Sequence, residues 1–305
     1  MPIPAASAFY VSSVRDVSGF PDFLIVGAPK CGTTSLFRYL GEHPKIYACP
    51  EKEPHFYSYM GEECPHWGTE SVEEYTALFE EADTEQLCVE ASTWYLYSST
   101  AAEQIRRYAP NTKCIALLRQ PVERAYSSWS FRVQQGWESL SFEEAIAAEE
   151  TRIENGEPWD VHYLRAGLYA EQVRRFYDQL GRDQVRVILF DDFQNDSDAI
   201  VRKVLSFLEL EPVGASDPDT VHNPTRLPQS ETLNHLQKLS SLRRIARQVL
   251  PKSVRSLLRR KLQQWNEKPR PPLDPEVRKT LTERVWSDVE ELESVLETDL
   301  SRWAA

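Results

Sequence analysis

The sequence predicts an α/β protein in which a parallel, P-loop-like sheet is flanked by helices and followed by a helical C-terminal extension. Between about residues 23 and 210, short apolar segments alternate with segments of helical periodicity, as in parallel strands joined by helices. The first apolar segment, FLIV, runs into the loop GAPKCGTTS and then into a helical pattern. This is the order of elements with which α/β proteins hold phosphate. We expect one domain over residues 1–305, with a core at about 21–226 and the extension at about 229–305.

Four strands are predicted from short, buried-looking apolar runs: FLIVG (23–27), LCVEAS (87–92), KCIALLR (113–119) and VRVILFDDF (185–193). Helices are predicted where apolar residues recur every three or four positions: 33–44, 71–82, 98–110, 121–136, 141–156, 168–181, 197–210 and 274–303. Ligands of such sheets bind at the carboxyl ends of the strands. The loops after the first three strands are therefore the places to look for chemistry.

The ends of several helices carry local signals. Pro110 stops the helix that precedes it, and Pro121 stands in a first turn, where proline is favoured. Ser141 and Glu144 form the Ser-x-x-Glu pattern of a capping box. Gly181 follows its helix in the position of a C-cap glycine. Each signal supports the helix that it bounds.

The last helix has a signal of the same kind and an apolar face. Asp274 and Pro275 are typical of an N-cap and a first helical position. Five apolar residues along the helix repeat at core-facing spacing: Val277, Leu281, Val285, Leu292 and Leu296. We therefore expect this helix to pack against the rest of the chain.

Composition excludes several classes of protein. The net charge of −12 argues against general nucleic-acid binding, and no apolar run is long enough to span a bilayer. The N-terminal residues lack the basic start and apolar centre of a secretory signal. The cysteines are odd in number and fall in no metal-ligand spacing: Cys31, Cys49, Cys64, Cys88 and Cys114. Together these features predict a cytoplasmic protein with free thiols and no metal site.

The segment 238–270 is strongly basic and has two open interpretations. Its Leu, Ile and Val residues recur at helical spacing, so its arginines can be the solvated face of a packed helix. The same arginines can instead contact an anionic substrate or a membrane surface. The proline-rich stretch 211–230 before it has the length of a lid or binding loop.

The loop GAPKCGTTS matches the glycine spacing of a Walker A loop but not its lysine. A Walker loop needs Lys and then Ser or Thr after the second glycine, whereas here Thr33 and Thr34 follow Gly32 and the lysine, Lys30, lies inside the loop. The N–H groups of Cys31 to Thr34 are expected to face an anion at the start of a helix. We interpret the loop as a site for a shorter anion than a metal-bound nucleoside triphosphate.

A second anion site is predicted after the strand KCIALL. Arg119 stands at the carboxyl edge of this strand, and Ser127 lies two turns into the next helix. An arginine makes bidentate contacts to phosphate, and a serine adds a hydroxyl. The two predicted sites share one edge of the sheet.

These stretches resemble the sulfotransferases that use 3′-phosphoadenosine 5′-phosphosulfate (PAPS), over about residues 23–226. GAPKCGTTSL is similar to their 5′-phosphosulfate-binding loop, and LLRQPVERAYSSW to their 3′-phosphate-binding segment. ACPEKEPHFYS resembles the Glu-x-His-Phe element of the heparan-sulfate-type enzymes. The resemblance implies that PAPS is the donor, that 3′-phosphoadenosine 5′-phosphate (PAP) is the product, and that no metal is required. It assigns donor binding to these residues: Lys30, Cys31, Gly32, Thr33, Thr34, Ser35, Arg119 and Ser127.

The resemblance also implies three catalytic residues. Lys30 would neutralise charge on the oxygen between phosphorus and sulfur as that bond breaks, and Glu53 would be the general base for the acceptor hydroxyl. His55 lies two residues on from Glu53 and would point to the same side if the segment is extended. It would orient the acceptor or share the proton.

Two departures from the family pattern concern the acceptor and the nucleotide cover. The heparan-sulfate-type enzymes carry a lysine where this chain has Ala91, after the glutamate of VEASTWYL, so the acceptor is left open. HNPTRLPQS lacks the family's Lys-Gly, and Arg226 is the residue expected to reach the donor there. The basic tail looks closer to bacterial members with long C-terminal extensions.

Several functions and acceptors stay open. The acceptor can be a polysaccharide such as an anionic glycan, a glycolipid, a polyketide or a small alcohol. A P-loop kinase or NTPase is an alternative, against which the missing Walker lysine counts. A non-catalytic PAPS- or glycan-binding protein is another, against which the presence of Lys30, Glu53, Arg119 and Ser127 counts.

Overall fold

The computed structural model describes residues 19–59, 68–69, 71–212, 226–228, 267–269 and 272–304. The described chain forms a five-stranded sheet in the order β2-β3-β1-β4-β5, in which every neighbouring pair is parallel. Its strands are β1 (Phe23–Gly27), β2 (Ile46–Ala48), β3 (Leu87–Ala91), β4 (Lys113–Leu118) and β5 (Val185–Leu189). A short antiparallel pair is formed by β6 (Arg226–Pro228) and β7 (Glu267–Pro269). The predicted parallel α/β architecture is confirmed.

Helices connect and flank these strands. They are α1 (Thr33–Gly41), α2 (Phe56–Tyr59), α3 (Val72–Ala77), α4 (Ala101–Tyr108), α5 (Pro121–Gln135), α6 (Phe142–Ala147), α7 (Glu149–Glu154), α8 (Tyr169–Leu180), α9 (Phe190–Asn195), α10 (Ser197–Phe207) and α11 (Pro275–Leu296). Three short 3₁₀ turns cover Trp159–Val161, Arg165–Gly167 and Ser301–Ala304. Because β1 lies between β3 and β4, three loops meet at the carboxyl end of the sheet, as expected for a ligand site.

The capping signals in the sequence act as predicted. Pro121 begins α5, and Gly181 follows α8 with φ +87°. The Ser141 hydroxyl accepts from Glu144 N while the Glu144 carboxylate accepts from Ser141 N, which completes the capping box of α6. Asp274 accepts from the first N–H groups of α11. Such caps contribute about 1 kcal/mol each by satisfying N–H groups that a helix leaves open.

Several predicted boundaries were wrong. The helix predicted over 141–156 is two helices, α6 and α7, which meet at Ala148. The strand predicted over 185–193 stops at Leu189, and Phe190 begins α9. The helix predicted over 71–82 spans Val72–Ala77 only. The last helix ends at Leu296, since Glu297 takes a left-handed conformation with φ +55°.

The short strands β6 and β7 were not predicted, and neither were β2 and α2. Strand β2 is a three-residue edge strand in which only Ile46 is buried, so it lacks an apolar run to mark it. Helix α2 is a single turn that directly follows the EKEPH segment. Both are held by tertiary contacts, since β2 pairs with β3 and Phe56 of α2 stacks on Tyr75 with ring centroids 4.3 Å apart.

The C-terminal helix packs into the main core. Its residues Val289, Leu292 and Val295 belong to the hydrophobic cluster that surrounds the sheet. The Asp288 carboxylate accepts from the N–H groups of Tyr169 and Ala170, and so caps the start of α8. Helix α11 therefore stabilises the same core that positions the sheet, whereas the domain boundaries proposed above stay predictions.

Other predictions fall partly outside the described residues. The described cysteines, Cys31, Cys49, Cys88 and Cys114, are buried and form no disulfide with one another, which agrees with the expected thiols, and Cys64 lies outside the described ranges. The predicted lid at 211–230 and basic segment 238–270 also lie outside them, apart from 211–212, β6 and β7. Within the ranges that are described, no helix has the length and apolar character needed to cross a membrane.

Candidate functional site

The predicted phosphate loop joins β1 to α1 at the centre of the sheet. Gly32 is the N-cap of α1 with φ +87°, and a Cβ atom there would lie 2.9 Å from the Phe190 ring. Both the conformation and the close approach require glycine. The side chains of Thr34 and Ser35 are half-buried at the start of α1, and Thr33 is buried. Helix α1 cannot satisfy its own first N–H groups, so this turn presents hydrogen-bond donors where the sequence predicted them.

Cys31 makes its described contacts within the protein, and its assigned donor contact stays a prediction. Its backbone N–H donates to the Ala28 carbonyl at 3.3 Å, so this group closes the turn of the loop. Its side chain is fully buried, with Sγ 3.8 Å from the Tyr169 hydroxyl. Burial raises the pKa of the thiol. Cys31 thus packs the loop onto the core and faces away from solvent.

Lys30 lies inside the loop, with its Nζ atom 4.1 Å from the centroid of the Phe131 ring. Its backbone is left-handed, with φ +72°. Burial, together with repulsion by Lys52 and Arg119, lowers the pKa of Lys30 to about 8. An anion beside this ammonium group would relieve that repulsion and favour the protonated form.

Glu53 and His55 form a pair, although the segment that carries them is not extended. Both residues have positive φ angles, +57° for Glu53 and +54° for His55, so the extended conformation assumed above was wrong. The tight turn nevertheless places His55 Nε2 3.4 Å from Glu53 Oε2. The Glu53 side chain is 29% exposed, whereas His55 is buried. A ligand can therefore contact the Glu53 carboxylate directly, whereas the buried His55 ring can act on that ligand only through Glu53.

Lys52 connects the Glu53 segment to the phosphate loop. Its Nζ atom lies 3.8 Å from Glu53 Oε1 and 3.4 Å from the Thr34 hydroxyl. The sequence analysis gave Lys52 no role. Its position adds a second cation to the site, and the Lys52 ammonium is the largest electrostatic cause of the lowered pKa of Lys30.

A buried carboxyl group supports the Glu53 segment from below. Glu90 Oε1, at the end of β3, accepts hydrogen bonds from the hydroxyls of Tyr95 at 2.6 Å and Ser92 at 3.0 Å. Ser92 Oγ in turn accepts from the backbone N–H of His55 at 2.9 Å. Burial raises the pKa of Glu90 to about 8. The network holds the His55 backbone at the carboxyl end of β3.

Arg119 stands where predicted, directly after β4. Its guanidinium lies 5.0 Å from the centroid of the Phe190 ring, the same ring that Gly32 approaches. Its Nη2 atom is 3.3 Å from Glu123 Oε2 on the next turn. The Glu123 carboxylate also contacts Arg278 of α11, with its Oε1 3.4 Å from Nε. Arg119 is thereby held between the phosphate loop and the C-terminal helix.

Ser127 lies on the face of α5 that is turned toward the phosphate loop. Residues four apart lie on one face of a helix, and Phe131, four residues after Ser127, contacts Lys30. The Ser127 side chain is itself buried. The position is compatible with a hydroxyl that contacts the same ligand as Arg119.

Three separate segments thus meet at the carboxyl end of β1, β3 and β4. Glu53 and Arg119 both lie close enough to Lys30 to influence its pKa. Ala91, at the end of β3, is buried and offers no charge. Arg226 lies in β6, and its side chain is outside the described parts of the chain, so its predicted contact stays a prediction.

The sequence analysis missed Lys52, Glu90 and Phe131 as parts of the site. Lys52 and Glu90 lie in the motifs EKEPH and VEAS, respectively. A carboxylate at the end of a buried strand was a signal that could have identified Glu90. Phe131 had none, because only the fold brings this part of α5 over Lys30.

Comparison with known proteins gives two strong similarities. A sequence model of the sulfotransferase family matches residues 21–213. The crystal structure of a sulfotransferase from Alicyclobacillus acidocaldarius superposes with a TM-score of 0.74 at 31% sequence identity. The superposition covers 94% of this chain and 99% of that one, so the similarity includes both the sheet and the C-terminal region.

Curated relatives match over shorter stretches. Heparan sulfate glucosamine 3-O-sulfotransferase 6 of Homo sapiens is 26% identical over 69% of this chain and 58% of its own length. Carbohydrate sulfotransferase 15 of Mus musculus is 26% identical over 63% of this chain and 44% of its own. The membrane-associated sulfotransferase kil1 of Dictyostelium discoideum is 33% identical over 37% of this chain and 23% of its own. The chain therefore spans less than two thirds of the length of each of these curated relatives.

Proposed function

The chain belongs to the sulfotransferase family, and we propose that it transfers the sulfuryl group of PAPS to an acceptor hydroxyl. The observation that carries this proposal is the meeting of Lys30, Glu53 and Arg119 at one edge of the sheet. This transfer requires a cation that stabilises the leaving group, a carboxylate that accepts a proton and an arginine that binds a second phosphate.

Donor binding is assigned to two anion sites. The first turn of α1, with Thr33, Thr34 and Ser35, would hold the 5′-phosphosulfate through backbone N–H groups and hydroxyls. Arg119 and Ser127 would hold the 3′-phosphate. The contact of both Gly32 and Arg119 with Phe190 supports this arrangement, because it brings the two sites to neighbouring positions. We propose that binding needs no metal, since Lys30, Lys52 and Arg119 supply the positive charge.

In the proposed reaction, Glu53 accepts the proton of the acceptor hydroxyl as the hydroxyl oxygen attacks sulfur in line. The bond between sulfur and the bridging oxygen breaks, and PAP leaves with the electron pair. Lys30 neutralises the charge that develops on that oxygen. His55, 3.4 Å from Glu53, orients the carboxylate and shares its proton.

Glu53 is suited to this role by its surroundings. The carboxylate is held between Lys52 and His55, at 3.8 Å and 3.4 Å. Its partial exposure leaves it open to an acceptor. Glu90, by contrast, is fully buried beneath Ser92, and burial raises its pKa to about 8. We therefore assign Glu90 the role of supporting the His55 backbone.

The reaction is tested with labelled PAPS and a panel of hydroxyl compounds, with mass-spectrometric detection of the sulfated product and of PAP. We expect sulfated product from the wild-type protein and a loss of about 10²- to 10⁴-fold in the Glu53→Gln variant. Transfer of phosphate from ATP instead would establish the kinase alternative. Tight PAPS binding with no turnover of any acceptor would establish the non-catalytic alternative.

The proposal also covers the class of acceptor, the cellular location and the type of enzyme. Two of the relatives are named for heparan sulfate and carbohydrate, and one for a membrane, which supports a hydroxyl acceptor in general. We propose a bacterial-type, cytoplasmic enzyme, and the two interpretations of the basic segment 238–270 given above stay open.

A further inference from the structure

Two aromatic side chains beside Lys30 stand out by their exposure. Among the described residues, Phe131 and Trp137 are the exposed large hydrophobic side chains, at 37% and 58%. Their rings contact each other edge to face, with centroids 6.2 Å apart and planes at 81°. Contiguous exposed apolar surface is unfavourable in water and marks sites where a ligand or partner binds.

The position of this aromatic pair ties it to the proposed reaction. Lys30 Nζ lies 4.1 Å from the centroid of the Phe131 ring, and Lys30 is the proposed partner of the leaving oxygen. In an in-line attack the acceptor oxygen lies opposite the leaving oxygen, with only the sulfuryl group between them. The acceptor is therefore within reach of Phe131, and Trp137 contacts Phe131.

The charged groups next to the pair form an ion pair with each other, and their remaining polar atoms, Arg132 Nε and Asp160 Oδ1, are buried. Arg132 forms an ion pair with Asp160 and donates to the Trp137 carbonyl at 3.3 Å. Its guanidinium also lies 6.0 Å from the centroid of the Trp137 ring. An anionic glycan would need a cation that is not already neutralised, and the many hydroxyls of a sugar would need open partners to offset their loss of water. An apolar group needs neither.

The perpendicular arrangement of the two rings favours an acceptor whose apolar body is thick enough to contact both of them. Because the rings are perpendicular, an apolar group that lies in the angle between them contacts the faces of both.

From these contacts we infer that Phe131 and Trp137 form the acceptor subsite and that the acceptor is an uncharged alkyl or aryl alcohol. Its hydroxyl is sulfated while its apolar body packs in the corner of the two rings. The inference rests on the proposed function and specifies the substrate class of the same site.

The test is a calorimetric titration of 2-naphthol into the full chain saturated with PAP, for the wild type, Trp137→Ala and Phe131→Ala. Trp286→Ala is the matched control, because Trp286 is a half-buried tryptophan of α11 that bonds to Glu290. We expect 2-naphthol to bind the wild type and the control alike. We expect binding at least about fivefold weaker in Trp137→Ala and Phe131→Ala, with unchanged affinity for PAP in Trp137→Ala.

Sulfate transfer from PAPS is then compared for 2-naphthol, 1-octanol and methyl β-glucoside. We expect the two apolar alcohols to be preferred and Trp137→Ala to raise KM for them rather than lower kcat. The inference is overturned if 2-naphthol does not bind the PAP-loaded wild type, if Trp137→Ala binds it equally well, or if the glucoside is the better acceptor. Failure of the wild type to bind PAP at all would instead contradict the proposed function.

Discussion

Glu53 Oε2 lies 3.4 Å from His55 Nε2 across a turn in which both residues have positive φ angles. A left-handed conformation is costly for residues other than glycine, by about 1–3 kcal/mol each, and such conformations cluster at functional sites. The surrounding contacts hold the turn, above all the bond from the His55 N–H to Ser92 Oγ. The pair is thus positioned by the fold and depends on residues far away in sequence.

The first prediction separates the roles of this pair. Glu53→Gln keeps the shape of the side chain but removes the base, so PAP affinity should stay within about twofold while sulfate transfer falls roughly 10²- to 10⁴-fold. His55→Ala should be milder, because the carboxylate remains. Transfer rate and PAP affinity are measured for both, with Glu51→Gln, an exposed carboxylate two residues away, as control. Near-normal transfer in Glu53→Gln and none in His55→Ala would make the histidine the base.

The second prediction concerns the pH dependence of donor binding. Lys30 has its pKa lowered to about 8 by burial and by the charges of Lys52 and Arg119, so it loses its charge as the pH rises through about 8. PAP affinity should be constant below about pH 7, begin to fall near pH 8 and be about tenfold or more weaker at pH 10. In Lys30→Arg the guanidinium stays charged, and this decline should disappear. An equal decline in both proteins would assign it to another group.

The third prediction concerns the 3′-phosphate. Arg119→Ala should weaken PAP binding by roughly ten- to a hundredfold, the value of a charge-assisted contact, and leave adenosine 5′-phosphate binding nearly unchanged. Arg278→Ala is the matched control, because Arg278 contacts the same glutamate, Glu123, from α11. Titration of both nucleotides into each variant gives the comparison. A similar loss for the two nucleotides in Arg119→Ala would place Arg119 away from the 3′-phosphate.

The fourth prediction follows from the buried Glu90. Burial raises the pKa of Glu90 in the folded state to about 8, above its ordinary value of about 4.5, so the folded state binds more protons and the free energy of unfolding decreases as pH rises from about 4.5 to about 8. Glutamine resembles the protonated carboxyl group and stays neutral. Glu90→Gln should therefore match the wild-type melting temperature near pH 5 and exceed it at pH 9. Equal melting temperatures at both pH values would show that Glu90 is not buried in a neutral form.

Much of the fold follows from local sequence patterns. Strands β1 and β4 are apolar runs, and the caps of α5, α6 and α11 involve residues only a few positions apart. The phosphate loop and Arg119 were predicted for the same reason, since a strand end and a helix start mark them in the sequence. The break between α6 and α7 at Ala148 was not predictable, because the helical pattern continues through it.

The rest of the site depends on contacts between distant segments. The Glu53 turn is held by Ser92 and Glu90, and no short-range pattern shows that β3 ends beneath it. Likewise, Lys52 reaches Thr34 only because β2 and β3 bring the EKEPH segment back to the start of α1. Side-chain pairs of this kind are set by the packing of the sheet.

The donor is the central claim, and thermal unfolding of the full chain with and without nucleotide tests it most directly. A ligand that binds only the native state raises the melting temperature by mass action, by about 2.7 kcal/mol of stability at a hundredfold excess over Kd. We predict that PAP raises the melting temperature in the presence of a metal chelator, and that ATP with Mg²⁺ has a much smaller effect. Equal stabilisation by the two nucleotides, or stabilisation by PAP only when Mg²⁺ is added, would contradict the account.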